Sequence, residues 1–319
     1  MRLRPLGPTG LSVSTLCLGT MQFGWTANES ESHAVLDAFV EAGGNFIDSA
    51  DIYSRWARGN AGGISEEIIG RWLKQRGDRD SMVIATKVRG QMWDGHDGEG
   101  LSRSHITRAV EDSLRRLQVE TIDLYQCHWP DENTPMEETL AVFGDLIAAG
   151  KIRYIGASNY SASQLAQALR AAETNSLTRF ATLQPHYNLV HRAEYEGELA
   201  SLCEREGLGV VPYSPLAGGF LTGKYRRGQP PPKSQRAANA RLYMNPPGFD
   251  VIETLDTVAG EHNTTLSAVA VAWLLTRPAM TVPIIGANTP EQLAAILPAA
   301  DLQLAPAEIA ALDRISAGF

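Results

Sequence analysis

Short β-branched runs alternate with longer amphipathic stretches along the whole chain, and this rhythm limits the fold more than any other feature. Residues 15–18, 45–48, 82–87, 121–127, 152–157, 181–184, 209–213 and 282–285 read as strands, eight in all. Residues 30–41, 103–117, 163–172 and 265–275 read as helices with one buried face, as at Ile106, Val110, Leu114 and Leu117. Gly43, Gly150 and Gly207 stand where helices end, and Ser102 and Thr264 are expected N-caps. Strand ends fall at 48, 87, 128, 158, 184 and 213, with gaps of 39, 41, 30, 26 and 29 residues. One βα unit per gap predicts an α/β chain folded as a (β/α)8 TIM barrel. Residues 3–13 read as an N-terminal β-hairpin capping the barrel floor. A doubly wound open sheet also alternates β and α, but its usual GxGxxG fingerprint occurs nowhere in the chain. Length alone suggests two domains, yet no linker or composition break divides residues 1–319, so one barrel domain is expected.

Composition narrows the partners. The chain carries 28 Lys and Arg against 36 Asp and Glu, a formal charge of −8, which argues against a nucleic-acid binder with a basic surface. With 44% hydrophobic and 20% charged residues it is no disordered tail or disulfide-stapled peptide. Cys17, Cys127 and Cys203 form no CxxC pair and no metal-ligand spacing, so reduced thiols and no metal are expected. The first residues lack the apolar core of a signal peptide, and the longest apolar run, 268–275, is far shorter than the ~20 residues of a membrane span. A cytoplasmic protein without membrane contact is expected. The oligomeric state is not legible.

Barrel sites collect where strands end, so the polar residues there are informative. Asp48 and Tyr53 follow the second strand, Lys87 closes the third and His128 follows the fourth. Their chemistry is coherent. A phenol is a poor acid at neutral pH, but a nearby ammonium stabilises the phenolate. Lys87 can supply that charge, with Asp48 holding it oriented. Tyr53 could then give a proton to a carbonyl oxygen, and His128 could hydrogen-bond the same oxygen. Each residue alone also suits a cap, a loop aromatic, a solvated amine or a core imidazole. Three successive strand ends make the conjunction harder to dismiss.

These residues carry a resemblance. Asn45-Phe46-Ile47-Asp48-Ser49-Ala50-Asp51-Ile52-Tyr53 resembles the strand-two signature of the aldo-keto reductase superfamily. Ile84-Ala85-Thr86-Lys87, Asp123-Leu124-Tyr125-Gln126-Cys127-His128-Trp129 and the block from Lys151 to Tyr160 are similar to its next blocks. The likeness spans essentially the whole chain. It implies Asp48, Tyr53, Lys87 and His128 as a catalytic tetrad, with Tyr53 as the general acid in reduction.

The resemblance also implies a nicotinamide cofactor, NADP by family default with NAD possible, lying across the rim. Ser158, Asn159 and Gln184 would hydrogen-bond its carboxamide, and Tyr213 would stack on its ring. Gly19, Thr20, Met21 and Asp48 would line the same rim. Ser214, Pro215, Leu216 and Gly218 belong to a glycine-bearing loop suited to phosphate approach. Lys224, Arg226, Arg227, Lys233, Arg236 and Arg241 put six cations into 18 residues without an acid, which reads as an anion site. Lys224 and Arg236 correspond to residues that hold the pyrophosphate in relatives. Ile285, Gly286, Ala287, Asn288 and Gln292 resemble the adenosine block. The chain departs from that block at Asn288, Ala295 and Ile296, which bears on cofactor choice and weakens the expected adenine grip.

Tyr53, His128, Met21, Phe23, Trp25, Trp56, Trp93 and Trp129 are the expected walls of a pocket for a small carbonyl, alcohol or sugar, and the glycine-rich insert 55–63 is placed to fold over it. Acids at Asp94, Asp97, Glu99, Asp131 and Glu132 disfavour an anionic substrate. Two other readings stay open. Lys87 is also placed as a Schiff-base lyase would need it. Some relatives of this kind are cofactor-sensing channel subunits, although this chain shows no long segment before its first strand.

Overall fold

Ten strands and eleven α-helices are seen among the described residues of the computed structural model, which are all but 96, 236, 280 and 281. An antiparallel hairpin comes first, β1 (Leu3–Pro5) and β2 (Ser12–Ser14), with Leu3 opposite Ser14. Eight parallel strands follow at the expected places, their ends within a residue or two except that β9 stops three residues early: β3 (Cys17–Gly19), β4 (Phe46–Asp48), β5 (Val83–Val88), β6 (Ile122–Cys127), β7 (Ile152–Ser158), β8 (Thr182–Gln184), β9 (Gly209–Val210) and β10 (Ile284–Ile285). They pair in chain order, and β10 returns to lie beside β3. The Val282 amide donates to the Val210 carbonyl at 3.2 Å and the Ile284 amide to Pro212 at 2.9 Å, which joins the two ends of the sheet. The fold is a (β/α)8 barrel.

Helices α1 (Glu29–Glu41), α2 (Ile64–Arg76), α3 (Arg103–Leu117), α4 (Met136–Ala148), α5 (Ala162–Thr174) and α6 (Glu198–Arg205) each separate two successive ring strands. A 3-10 turn (Ala217–Thr222), α7 (Ala237–Arg241), α8 (Pro246–Glu261) and α9 (Leu266–Leu275) lie between β9 and β10. Helix α10 (Pro290–Ala294), a further 3-10 turn (Leu297–Ala300) and α11 (Pro306–Ile315) end the chain. Ser102 caps α3 as expected, its hydroxyl accepting from the His105 amide. Gly43, Gly150 and Gly207 follow α1, α4 and α6 at positive φ (83°, 73° and 65°). The cap of α9 is Thr265, not Thr264. The Thr265 hydroxyl accepts from the Ala268 amide and donates to the Ala295 carbonyl, whereas the Thr264 amide is spent on Ala259, closing α8.

The two-residue period of a strand sorts the side chains. Phe46, Val83, Ala85 and Leu124 point into the barrel, where they pack with Cys17, Val211, Val282 and Ile284. Leu6 and Val13 of the hairpin join that cluster, so the hairpin stoppers the floor. Ile47, Ile84, Tyr125 and Cys127 point outward to the helices. Two residues further along the inward rows stand Asp48, Lys87 and Gln126, above the apolar layers. Polar groups therefore converge at one end of the barrel because apolar groups fill the other.

Helix α2 can pack on the end of α3 because Gly70 has no side chain. A Cβ there would sit 2.1 Å from the Arg116 carbonyl oxygen and 2.7 Å from the Leu117 carbonyl carbon. Gly70→Ala should therefore destabilise the fold by about 1–3 kcal/mol, despite alanine's better helix propensity. A lower urea midpoint checks this; an unchanged or raised midpoint would show that the two helices separate freely.

Candidate active site

Lys87 sits at the centre, completely buried. Its Nζ donates to Asp48 Oδ2 at 2.5 Å, to the Ser49 carbonyl at 2.8 Å and to the Tyr53 hydroxyl oxygen at 3.0 Å. The first two partners come from the end of β4 and the third from the turn that follows. The other carboxylate oxygen of Asp48 accepts from Gln126 Nε2 and from Gln184 Nε2, both at 3.0 Å. Four ring strands, β4, β5, β6 and β8, thus meet on one carboxylate. Gln126 is absent from the expected site residues, though its inward position in register beside Lys87 is the signal that finds it.

Burial works to lower the Lys87 pKa. The charge of Asp48, then Tyr53, and the hydrogen bonds to both outweigh it and hold the lysine pKa above its ordinary value. His128 shows the reverse balance. Burial, then the repulsion of Lys87, pushes its pKa well below the usual histidine range. Its imidazole lies edge-on to the Tyr53 ring, with centroids 5.8 Å apart, and its Nδ1 is buried without a hydrogen-bond partner among the described residues. Asp51, in the same turn as Tyr53, is fully buried and its carboxyl is pushed well above the carboxylate range by burial and by Glu66.

The expected carboxamide ligands lie together beside this group. Ser158 Oγ donates to the Gln184 carbonyl at 2.9 Å, and Asn159 Nδ2 donates to the His128 carbonyl at 2.8 Å. The Tyr213 hydroxyl donates to Asn159 Oδ1 at 2.8 Å, and its ring is half-buried. On the near side, Gly19 pairs with Asp48, and Thr20 donates through both amide and hydroxyl to the Asp48 carbonyl at 3.0 Å. Met21 follows, half-buried. Gln22, which is not among the expected site residues, donates to the carbonyls of Gly19 and Ala287 and so ties β3 to the segment after β10.

The cation-rich segment is rearranged relative to expectation. Arg226 pairs with Asp256, and Arg227 with Asp250 and Glu253, all on α8. Six cations do not form one anion site, because acids brought by the fold neutralise two of them. Lys224 lies beside the glycines, its Nζ 3.0 Å from where a Gly219 side chain would begin. Gly218 and Gly219 both take positive φ after the turn of Ser214, Pro215 and Leu216. Arg236 lies outside the described residues. In the adenosine block, Asn288 Oδ1 accepts from Thr26, and Gln292 Oε1 accepts from the Asn288 amide. Ile285 and Ala287 are buried, and Gly286 faces the Gln22 amide.

Among the expected pocket aromatics, Trp56 packs edge-on to both Trp25 (5.7 Å) and Tyr53 (6.1 Å), while Trp129 packs on His128 (4.6 Å). Arg89 lies over Trp129 at 5.2 Å. Phe23 differs from these in being fully buried in the main core. Trp93 packs against His105 (4.8 Å) and Arg108 (4.1 Å) of α3 rather than with this cluster.

Comparison with known proteins gives the family. The model of the Aldo/keto reductase family matches residues 15–317. The chain belongs to the aldo/keto reductase family. It is similar to an uncharacterized oxidoreductase, YrpG, of Bacillus subtilis (strain 168), with 38% identity over 94% of this chain and 91% of that protein. It is 34% identical to the aldo-keto reductase AMT2 of Alternaria alternata (97% and 90% covered). It is 35% identical to a probable voltage-gated potassium channel subunit beta of Arabidopsis thaliana (95% and 92% covered). This aldo/keto reductase has no helix, among its described residues, long and apolar enough to cross a membrane.

Two measurements follow from the electrostatics. Lys87→Met leaves the Asp48 carboxylate buried without its cation, and should cost about 3–5 kcal/mol of stability by urea unfolding; a loss under 1 kcal/mol would mean that the ion pair contributes little to the fold. His128 should remain neutral by NMR as the pH falls from 8 to 6. Because its folded pKa is depressed, the unfolded chain takes this proton first, so His128 should cost stability progressively below about pH 6.5 and nothing above it.

Proposed function

We propose that this aldo/keto reductase transfers hydride between a nicotinamide cofactor, NADP(H) ahead of NAD(H), and a small carbonyl or alcohol substrate: an aldehyde, ketone or sugar. Residues 1–319 would act as one catalytic domain. The observation that carries the reading is a single ammonium, Lys87, donating both to Asp48 and to the Tyr53 oxygen.

The donor set fits a nicotinamide. Ser158, Asn159 and Gln184 bring amide and hydroxyl groups to one spot, as a carboxamide requires, and Tyr213 adds a half-exposed ring. Lys224, with Gly218, would meet the pyrophosphate. Asn288 and Gln292 would lie toward the adenosine, with their side-chain oxygens already engaged. When bound, the cofactor supplies the hydride to the carbonyl carbon, and it would bind first.

Tyr53 is the general acid. As its proton moves to the carbonyl oxygen, negative charge grows on the phenolic oxygen, where Lys87 already donates. Asp48 holds the ammonium in place, and Gln126 and Gln184 hold Asp48. His128, kept neutral, offers an N–H to the same carbonyl oxygen and orients it. In alcohol oxidation the phenolate takes the proton back. Trp25, Trp56 and Trp129 would flank the substrate and limit water.

A Schiff-base role for Lys87 is disfavoured. Its three ammonium protons are all donated and its charged form is stabilised, so no lone pair is free to attack. The similarity to a channel subunit beta supports a second reading, a cofactor-sensing subunit with little turnover. A reducing, cytoplasmic setting is in keeping with three buried, unpaired cysteines.

The test is oxidation of NADPH with a panel of aldehydes, ketones and sugars. Tyr53→Phe should lower kcat by roughly 10²–10⁴-fold with NADPH affinity retained. Wild-type turnover in that variant would remove Tyr53 from the chemistry. No turnover on any panel member, with tight NADPH binding, would favour the sensing subunit, and tighter binding of NADH would overturn the cofactor preference.

A further inference from the structure

Behind Tyr213 stand two more rings. His186 stacks on it with centroids 5.0 Å apart and planes at 12°, and His191 stacks on His186 at 3.8 Å and 22°. The chain builds this stack deliberately. His186 and Tyr213 are bridged through their backbones, and the Tyr213 amide donates to the Pro185 carbonyl at 3.0 Å. Asn188 and His191 exchange backbone hydrogen bonds of 3.2 and 3.0 Å, a tight reversal that folds His191 back over His186. The buried Asn188 side chain pins the reversal, donating to the Ser214 carbonyl at 2.9 Å and accepting from the Val190 amide at 2.9 Å. At the far end, His191 Nε2 lies 3.2 Å from Glu194 Oε2.

Tyr213 is therefore held at two places. Its hydroxyl is fixed by Asn159, which also holds the His128 carbonyl. One ring face is covered by His186, so the exposure that remains belongs to the opposite face and the edge. The tilt of the ring about its hydroxyl anchor is set by what lies behind it.

We propose that His186 is a positioning residue for the nicotinamide: through ring-on-ring contact it fixes the plane of Tyr213, and Tyr213 fixes the plane of the cofactor ring. The proposal rests on the reading that Tyr213 stacks on the nicotinamide. It asks for an aromatic ring at position 186, not for a proton donor. Burial, then His191, pushes the His186 pKa down to about 4, so the ring that backs Tyr213 is uncharged at neutral pH. Neither histidine stands out by its place in the sequence, because four residues separate them and only the reversal at Asn188 stacks them.

The test measures the dissociation constant of NADPH by its fluorescence for His186→Ala, His186→Leu, His186→Phe, Tyr213→Ala and the double variant. Loss of the ring in H186A and H186L should weaken NADPH binding by roughly 2- to 12-fold, the range that aromatic pairs carry. H186F should restore affinity to within about 2-fold. H186A added to Y213A should cost nothing further, because its effect passes through Tyr213. Wild-type affinity in H186L, or full additivity in the double variant, would overturn the proposal while leaving the stacking of Tyr213 intact. Wild-type affinity in Y213A would overturn the stacking itself, and the proposal with it. Should H186A fold poorly, the comparison of H186L with H186F decides the matter, since both fill the space and only one has a ring.

Discussion

An ammonium buried inside a barrel is the constraint on which the site depends. Moving an unpaired charge from water into a protein interior costs several kcal/mol. Lys87 meets that cost with a hydrogen-bond acceptor for each of its three protons, and Asp48 meets its own with donors on both oxygens. Removing either partner leaves the other buried without its counter-charge. The pair thus locks the rim, and Tyr53, the half-buried partner, is the outlet through which this charge acts on anything outside.

The surrounding packing serves the same end. The first turn of α2 is bound to the strands that carry the pair. Ser65 donates to Thr20, which itself donates to the Asp48 carbonyl, and Ser49 donates to Ser65. Glu66 accepts from Thr86 on β5 at 2.6 Å and from Arg116 of α3 at 2.7 Å. Backbone and hydroxyl bonds thereby hold Asp48 and Lys87 from outside the barrel, while the apolar layers and the hairpin hold them from below. Such support on rigid elements keeps hydrogen bonds of 2.5–3.0 Å in register.

Most of the barrel was legible because its strands are short, β-branched and regularly spaced, and because polar residues at strand ends stand out against apolar runs. Asp48, Tyr53, Lys87 and His128 meet as expected for that reason. What escaped depends on contacts between distant segments. Gln126 is one more strand residue until the inward row is known. Phe23 reads like any loop aromatic until the fold buries it. Arg226 and Arg227 look like unpaired cations until α8 brings Asp250, Glu253 and Asp256 to them. Thr264 and Thr265 are equally good caps on paper, and the neighbouring Ala295 carbonyl, which only the fold supplies, favours the second. His186 and His191 needed a chain reversal to become a stack.

The charge on Lys87 can be read directly from its side-chain nitrogen. In protein labelled with ¹⁵N at the lysine ε-position, the Lys87 resonance should stay that of an ammonium as the pH is raised beyond about 10.4, where ordinary lysines lose their proton, and should titrate earlier in Asp48→Asn. A neutral Lys87 amine at pH 8 would contradict this, because Asp48 would then lack its counter-charge and no cation would favour charge on the oxygen of Tyr53.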